Sequence, residues 1–394
     1  MLNGDGNAAG MGMIPQAREG SIRAGGLLAA WRRTRGHVAV VVLAIVIAFW
    51  WLTMVAFGTP LDWAFDFRQF WQGGRDVVQG VSPYATSEML DTARVEYDAR
   101  HVQEDYRFPY PAGAAVALAP LGALSFEVAA AVWGLLLIAA ILGALWILEV
   151  RDWRVYAVTV TSAPVITSVR LGTLTPVLLL LAAATWRFRD RRWAVAGALA
   201  AALSLKLFLW PLLVWLIATR RFVSAALTCV LAALLTLGAW ALIGFEGLTR
   251  YPEFLRRLAE FADTVGLSFV ALGDQLGLPI GAARILPFAV GIPLLVAAAL
   301  AARRDDGDRR AFSLAVVAAI AITPIVWLHY FALLVVPLAI LRPRLAWLWG
   351  VMWMFWLIPS QGNEGHPERV AIALACAAVI LAASSLATSQ RVRG

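Results

Sequence analysis

The chain has 394 residues, of which 61% are hydrophobic and only 15% charged, and its mean hydropathy is +0.74. Soluble chains run at roughly 45–50% apolar and about 25% charged, so composition excludes an ordinary soluble domain and indicates an all-α polytopic membrane protein. The formal net charge of +8 does not point to nucleic acid, because the arginines stand in short clusters between apolar runs, where they orient membrane insertion.

Residues 1–30 are rich in Gly and Ala without periodicity and read as a disordered cytoplasmic tail. The rest, 31–394, reads as a single transmembrane domain. A first span at 38–57 follows Arg32, Arg33 and Arg35, which places the N-terminus in the cytoplasm and the next loop outside. That span begins too late and runs too long for a cleaved signal peptide.

The first extracytoplasmic loop, with its juxtamembrane helices, is expected over 58–126. Between 58 and 107 it holds nine acidic residues and five arginines, and a loop this long is generally functional or disordered. Within it, Asp62-Trp63-Ala64-Phe65-Asp66-Phe67-Arg68-Gln69-Phe70-Trp71 reads as a surface-lying helix. Asp62, Asp66, Gln69 and Gly73 would share one face, with Phe67, Phe70, Trp71 and Gly74 on the next. A short apolar stretch from 112 to about Leu124, containing Pro120, reads as a second interfacial or re-entrant helix.

A second span is expected at 127–149. Others follow near 155–168, 173–187, 193–205, 207–218, 223–244, 282–302, 311–325, 328–341, 345–358 and 368–388, twelve in all with both ends cytoplasmic. The strong basic turns, at 187–192, 220–221, 303–310 and 342–344, then all fall on one side. The residues 245–281 form a second extracytoplasmic loop. Several runs are too short to cross ~30 Å of hydrocarbon alone; broken segments of this kind surround cavities, where irregular backbone is tolerated. Cys229 and Cys376 each sit in an apolar run and suggest neither a disulfide framework nor a thiolate metal site.

Four residues stand out at the outer breaks. Lys206 is the only lysine against 32 arginines. A charge inside a span costs about 2.5–3.5 kcal/mol, so it faces a cavity or an anionic partner, or else snorkels to the headgroups. Arg170 and His329 sit at breaks on the same side; the plain alternatives are a surface cation and a satisfied structural histidine. Asp66 could belong to a solvated helix face, but a carboxylate beside cations at a water-poor boundary suits glycosyl transfer from a lipid phosphate. The acceptor hydroxyl must lose a proton as it attacks, and the departing phosphate needs fixed positive charge.

Asp66-Phe67-x-x-Phe70, then Gly80-x-Ser82-Pro83-Tyr84, Phe108-x-Tyr110-Pro111 and Pro120-Leu121 resemble the opening of glycosyltransferase family 87. Leu171-Gly172-x-x-Thr175-Pro176, Leu205-Lys206-Leu207 and Thr323-Pro324-x-x-Trp327-x-His329-Tyr330 extend the resemblance over about 60–345. It implies a GT-C-like bundle and an inverting enzyme that uses a polyprenyl-phosphate sugar donor and works at the outer face of the cytoplasmic membrane. Asp66 would be the catalytic base, with Lys206, His329 and Arg170 holding the donor phosphate. Asp62, Phe70, Tyr84, Tyr110, Trp327 and Tyr330 would line the substrate cavity. Mannose is the first expectation for the sugar and arabinofuranose the second, with a glycolipid or envelope glycan as acceptor. The chain departs from the family pattern at Thr173, Ala112 and Leu328, which leaves sugar and acceptor open. No cofactor is expected; a divalent ion between Asp62 and Asp66 is the open alternative. Two rival functions are a lipid-linked sugar flippase, which needs charges at mid-span, and a non-catalytic scaffold for envelope assembly.

Overall fold

A computed structural model describes residues 64–84, 108–263, 266–358 and 367–386. The N-terminal tail, the first span at 38–57, Asp62, most of the acidic loop and the basic C-terminal tail lie outside the described residues.

Among the described residues every regular element is helical. Chain order begins with α1 (Phe65–Val78), α2 (Ala112–Gly122) and α3 (Phe126–Ile147). Short helices follow: α4 (Trp153–Val160), α5 (Ala163–Leu171), α6 (Thr175–Arg187), α7 (Arg192–Leu205) and α8 (Pro211–Ala218). Next come α9 (Phe222–Leu242), α10 (Tyr251–Ala262), α11 (Phe269–Gln275), α12 (Ile280–Ala283), α13 (Leu286–Ala301) and α14 (Asp308–Ile322). A tight 3₁₀ stretch Leu328–Leu334 leads into α15 (Val335–Leu341), and α16 (Val351–Met354) and α17 (Pro367–Leu386) close the chain.

Among the described residues three helices are long and apolar enough to cross a membrane: Phe126–Ile147, Phe222–Leu242 and Ile280–Ala301. At 1.5 Å per residue, some 20 residues reach about 30 Å. The pair α5 and α6 makes a fourth only as one span broken by a 119° bend. The other expected spans that are described form helices, but several are shorter apolar pieces such as Arg192–Leu205 and Leu328–Leu341. Hydropathy therefore located the helices, while the count of twelve rests on the sequence pattern alone. Long apolar side chains such as Leu135 on α3, Leu234 on α9 and Val296 on α13 are exposed, as lipid contact requires.

The core runs along α14 and α15. Every residue from Ala311 to Ile322 is buried, as is Val335–Ile340, and the small side chains of Ala311, Ala315, Ala318, Ala319 and Ala321 let neighbouring backbones approach. Around this core the chain turns at two ends. At one end Arg187 pairs with Glu149 at 2.9 Å, Arg221 with Asp190 at 3.2 Å, and Arg189 with Asp308 at 3.2 Å. The Leu345 N–H donates to Asp152 at 3.0 Å there. These ties collect the described basic turns into one arginine-rich end. At the opposite end, the Ser82 hydroxyl donates to the Glu246 carbonyl at 3.0 Å and the Tyr251 hydroxyl to Pro109 at 3.1 Å. The two expected loops thus meet.

In α1 the two faces read from the sequence merge into one. Gln69 and Gly73 are buried together with Phe67, Phe70 and Gly74, because α1 lies backbone to backbone on α2. A Cβ on Gly74 would stand 2.6 Å from the Leu118 carbonyl oxygen, and one on Gly122 would stand 2.2 Å from the Arg75 nitrogen. The solvated side carries Arg68, Gln72 and Arg75 instead.

Candidate active site

Asp66 occupies the first turn of α1, where exposed N–H groups favour a carboxylate. Its neighbours lock it in place. The Ala64 N–H donates to the Arg170 carbonyl at 2.8 Å, so the start of α1 is tied to the end of α5. Phe67 is fully buried and stacks on Trp133 with ring centroids 5.8 Å apart. Gly172 caps α5 at φ +72 and faces Phe67 so closely that a Cβ would sit 2.6 Å from the Phe67 Cβ. The Trp133 indole N–H then donates to the Gly172 carbonyl at 2.8 Å, in a buried position. Asp66 is thereby held between two anchored residues.

Lys206 ends α7 in extended backbone, φ −160 and ψ 123. Its ammonium turns inward and donates to the Tyr330 hydroxyl, the opposite of a side chain snorkelling outward. It lies 4.2 Å from the Tyr330 ring centroid and 5.2 Å from that of Tyr110. Gly113 admits this arrangement: a Cβ there would stand 2.5 Å from the Ser204 carbonyl, so α2, and Tyr110 before it, press on the end of α7.

His329 enters from the break after α14, where Pro324 ends the helix and Trp327 is extended before the 3₁₀ stretch. It is 3% exposed, its ring meets Tyr330 edge-on at 4.7 Å, and its carbonyl accepts a long bond from Ser168 at 3.4 Å. Its Nδ1 is buried without a hydrogen-bond partner. A buried orphan nitrogen is costly by about 1–3 kcal/mol, and it marks a place where a further polar group fits.

The electrostatics join these parts. Burial pushes the Asp66 carboxyl up to about 7, and the Lys206 ammonium pulls against that rise. Asp66 retains some accessible surface although protein surrounds it closely. A carboxylate poised near neutrality opposite an ammonium, beside an unfilled imidazole nitrogen, equips one end of the bundle for proton transfer next to an anion.

A family model described as glycosyltransferase family 87 matches residues 108–328, more than half of the chain. The chain belongs to glycosyltransferase family 87. Comparison with curated proteins and with solved structures gives no match.

The family 87 match takes in Tyr110, Arg170, Lys206 and Trp327, and stops short of Asp66 at one end and His329 at the other. The structure brings Asp66, Lys206, His329, Tyr110 and Tyr330 together in this glycosyltransferase. Arg170 contributes its carbonyl to the start of α1, while its side chain is exposed. Trp327 is partly exposed beside Gly266. Phe70 and Tyr84, expected to line the cavity, are 0% and 2% exposed. Phe70 packs on Tyr110 at 4.5 Å, and Tyr84 stacks on Trp240 at 4.7 Å while donating its hydroxyl to the Tyr110 carbonyl. They brace Tyr110 from behind. Among the described residues no three His, Cys, Asp or Glu side chains converge as a metal site would require.

Sequence reasoning missed Trp133, Trp240 and Tyr251. Trp133 lies in the apolar run of α3 and resembles any lipid-facing aromatic; its one signal is the indole N–H, which a buried position obliges to find an acceptor.

Proposed function

We propose that the protein is an inverting glycosyltransferase that moves a sugar, with mannose the first expectation, from a polyprenyl-phosphate donor to a glycolipid or envelope glycan acceptor. Asp66 accepts the proton of the acceptor hydroxyl while that oxygen attacks the anomeric carbon from the face opposite the phosphate. The anomeric C–O bond breaks, its electron pair leaves with polyprenyl phosphate, and the phosphate gains one negative charge. Lys206 faces that charge, and His329 offers its unfilled nitrogen to a phosphate hydroxyl or oxygen according to its own protonation. Arg170, whose carbonyl holds the start of α1, is the further cation proposed for the donor phosphate.

The observation that carries this reading is the meeting of Asp66, Lys206 and the orphan Nδ1 of His329, drawn from three distant segments of a glycosyltransferase. Their position at one end of the bundle favours transfer at a membrane surface over a flippase, whose charges belong at mid-span. Their mutual proximity argues against a scaffold. The arginine-rich end opposite supports a cytoplasmic location for the turns and an outer-face active site within a twelve-span topology.

The test offers full-length protein in nanodiscs a panel of polyprenyl-phosphate sugars and follows release of polyprenyl phosphate. Asp66→Asn should remain folded and lose about 10²–10⁴ in rate. Ordinary turnover by that variant would refute the assignment of the base.

A further inference from the structure

The arginine-using chain holds one lysine, and the reason lies in its surroundings. The Lys206 ammonium lies 5.2 Å from the centroid of the Tyr110 ring and 4.2 Å from that of Tyr330, at the hydroxyl edge of the latter. It also donates one N–H to the Tyr330 hydroxyl. Both rings are themselves held. Phe70 and Phe108 pack on Tyr110 at 4.5 and 5.8 Å, and Phe208 and His329 meet Tyr330 at 5.2 and 4.7 Å. Tyr110 is fixed further by the Tyr84 hydroxyl on its carbonyl.

We propose that Tyr110 and Tyr330 are positioning residues that form a cradle for the Lys206 ammonium, the first through its ring and the second through its hydroxyl, and that this cradle selects lysine over arginine. A ring face attracts a cation through its quadrupole, most strongly where water is scarce. The ammonium is a compact point charge with three donors. With one donor given to Tyr330, two are left to face Asp66 and the anion in front of it. A guanidinium is longer, planar and forked, and would stack on one ring and carry its charge past the site. The cradle thus explains a sequence fact that helix formation and lipid contact leave unexplained. It depends on the transferase reading only for what the ammonium is aimed at.

The decisive experiment replaces Tyr110 with phenylalanine and then mono-, di- and trifluorophenylalanine, and separately Tyr330 with phenylalanine, in the full-length protein. Fluorination keeps the ring's shape and drains its negative face. Along the Tyr110 series the rate should fall stepwise, by about ten-fold from phenylalanine to the trifluoro form, Tyr330→Phe should lose about ten-fold through the missing hydroxyl, and Lys206→Arg should lose at least about ten-fold in kcat. A second readout needs no turnover. Isotopically labelled lysine gives a single side-chain NMR signal in this chain, and that signal should be displaced from its free-chain position by the neighbouring tyrosines and move when either tyrosine becomes leucine. A flat rate across the fluorinated series, or a lysine signal at its free-chain position, would overturn the proposal. If the wild-type protein turns over no donor while its lysine signal is displaced and responds to both leucine variants, the transferase reading fails and the cradle stands.

Discussion

Asp66 makes the sharpest prediction because, as the proposed base, its environment would set the acidity at which the enzyme switches on. Burial raises its carboxyl to about 7, from an ordinary value of 3.8, despite the opposing ammonium of Lys206. The sign follows from the role. A general base must be ionised, so activity is present above the folded-state value and is lost as pH falls through it. With a midpoint near 7, kcat/KM at pH about 6 should be roughly a tenth of its plateau, and at pH about 5 roughly a hundredth. An ordinary carboxylate would hold the rate level over that whole range. Lys206→Met removes the charge that pulls the carboxyl down, so its acid limb should move to higher pH while the plateau drops. The assay is release of polyprenyl phosphate by the full-length protein in nanodiscs between pH about 5 and 8.5, with folding checked by thermal melts at each pH. A level profile from pH about 5 to 8 would refute the claim that Asp66 is the base in this buried setting, as would a limb that Lys206→Met leaves in place.

Gly172→Val should damage the site from outside it. The position has φ +72 and a Cβ would meet the Phe67 Cβ at 2.6 Å, so strain and displacement of α1 should together lower stability by about 2–4 kcal/mol and cut the rate at least ten-fold; thermal melting and the same assay measure both. Asp308→Ala probes the opposite end. Asp308 accepts from Arg189 at 3.2 Å, from Arg221 at 3.0 Å and from the Trp215 indole at 2.8 Å, and is about a third exposed, which moderates the loss to about 2 kcal/mol. The melting temperature should fall while kcat of the protein that remains folded stays unchanged, since the proposed active site lies at the other end.

Much of the molecule was legible from residue order. Apolar runs located α3, α9 and the Ile280–Ala301 helix because a lipid-facing helix must be apolar over about 20 residues whatever its neighbours do. Arginine clusters marked the turns that the structure joins through Asp190, Asp308 and Asp152. Lys206, His329 and Asp66 stood out for a related reason: a charged or polar side chain in an oily run is expensive, so its presence signals a partner. Sequence could name these residues as needing partners but could not choose the partners.

Only the tertiary structure decided that. It paired Lys206 with two tyrosines 96 and 124 residues away in the chain, left the Nδ1 of His329 without a protein partner, and set Phe70 and Tyr84, expected as lining, against Tyr110. Aromatic side chains carry no sign of which face they bury, and glycines such as Gly74, Gly113 and Gly172 reveal only that something comes close. The backbone that comes close is set by the rest of the fold. Composition and spacing thus determined that this chain is a helical membrane protein with a few costly polar residues. The approach of distant backbones across those glycines decided that Asp66, Lys206 and His329 stand together as one site.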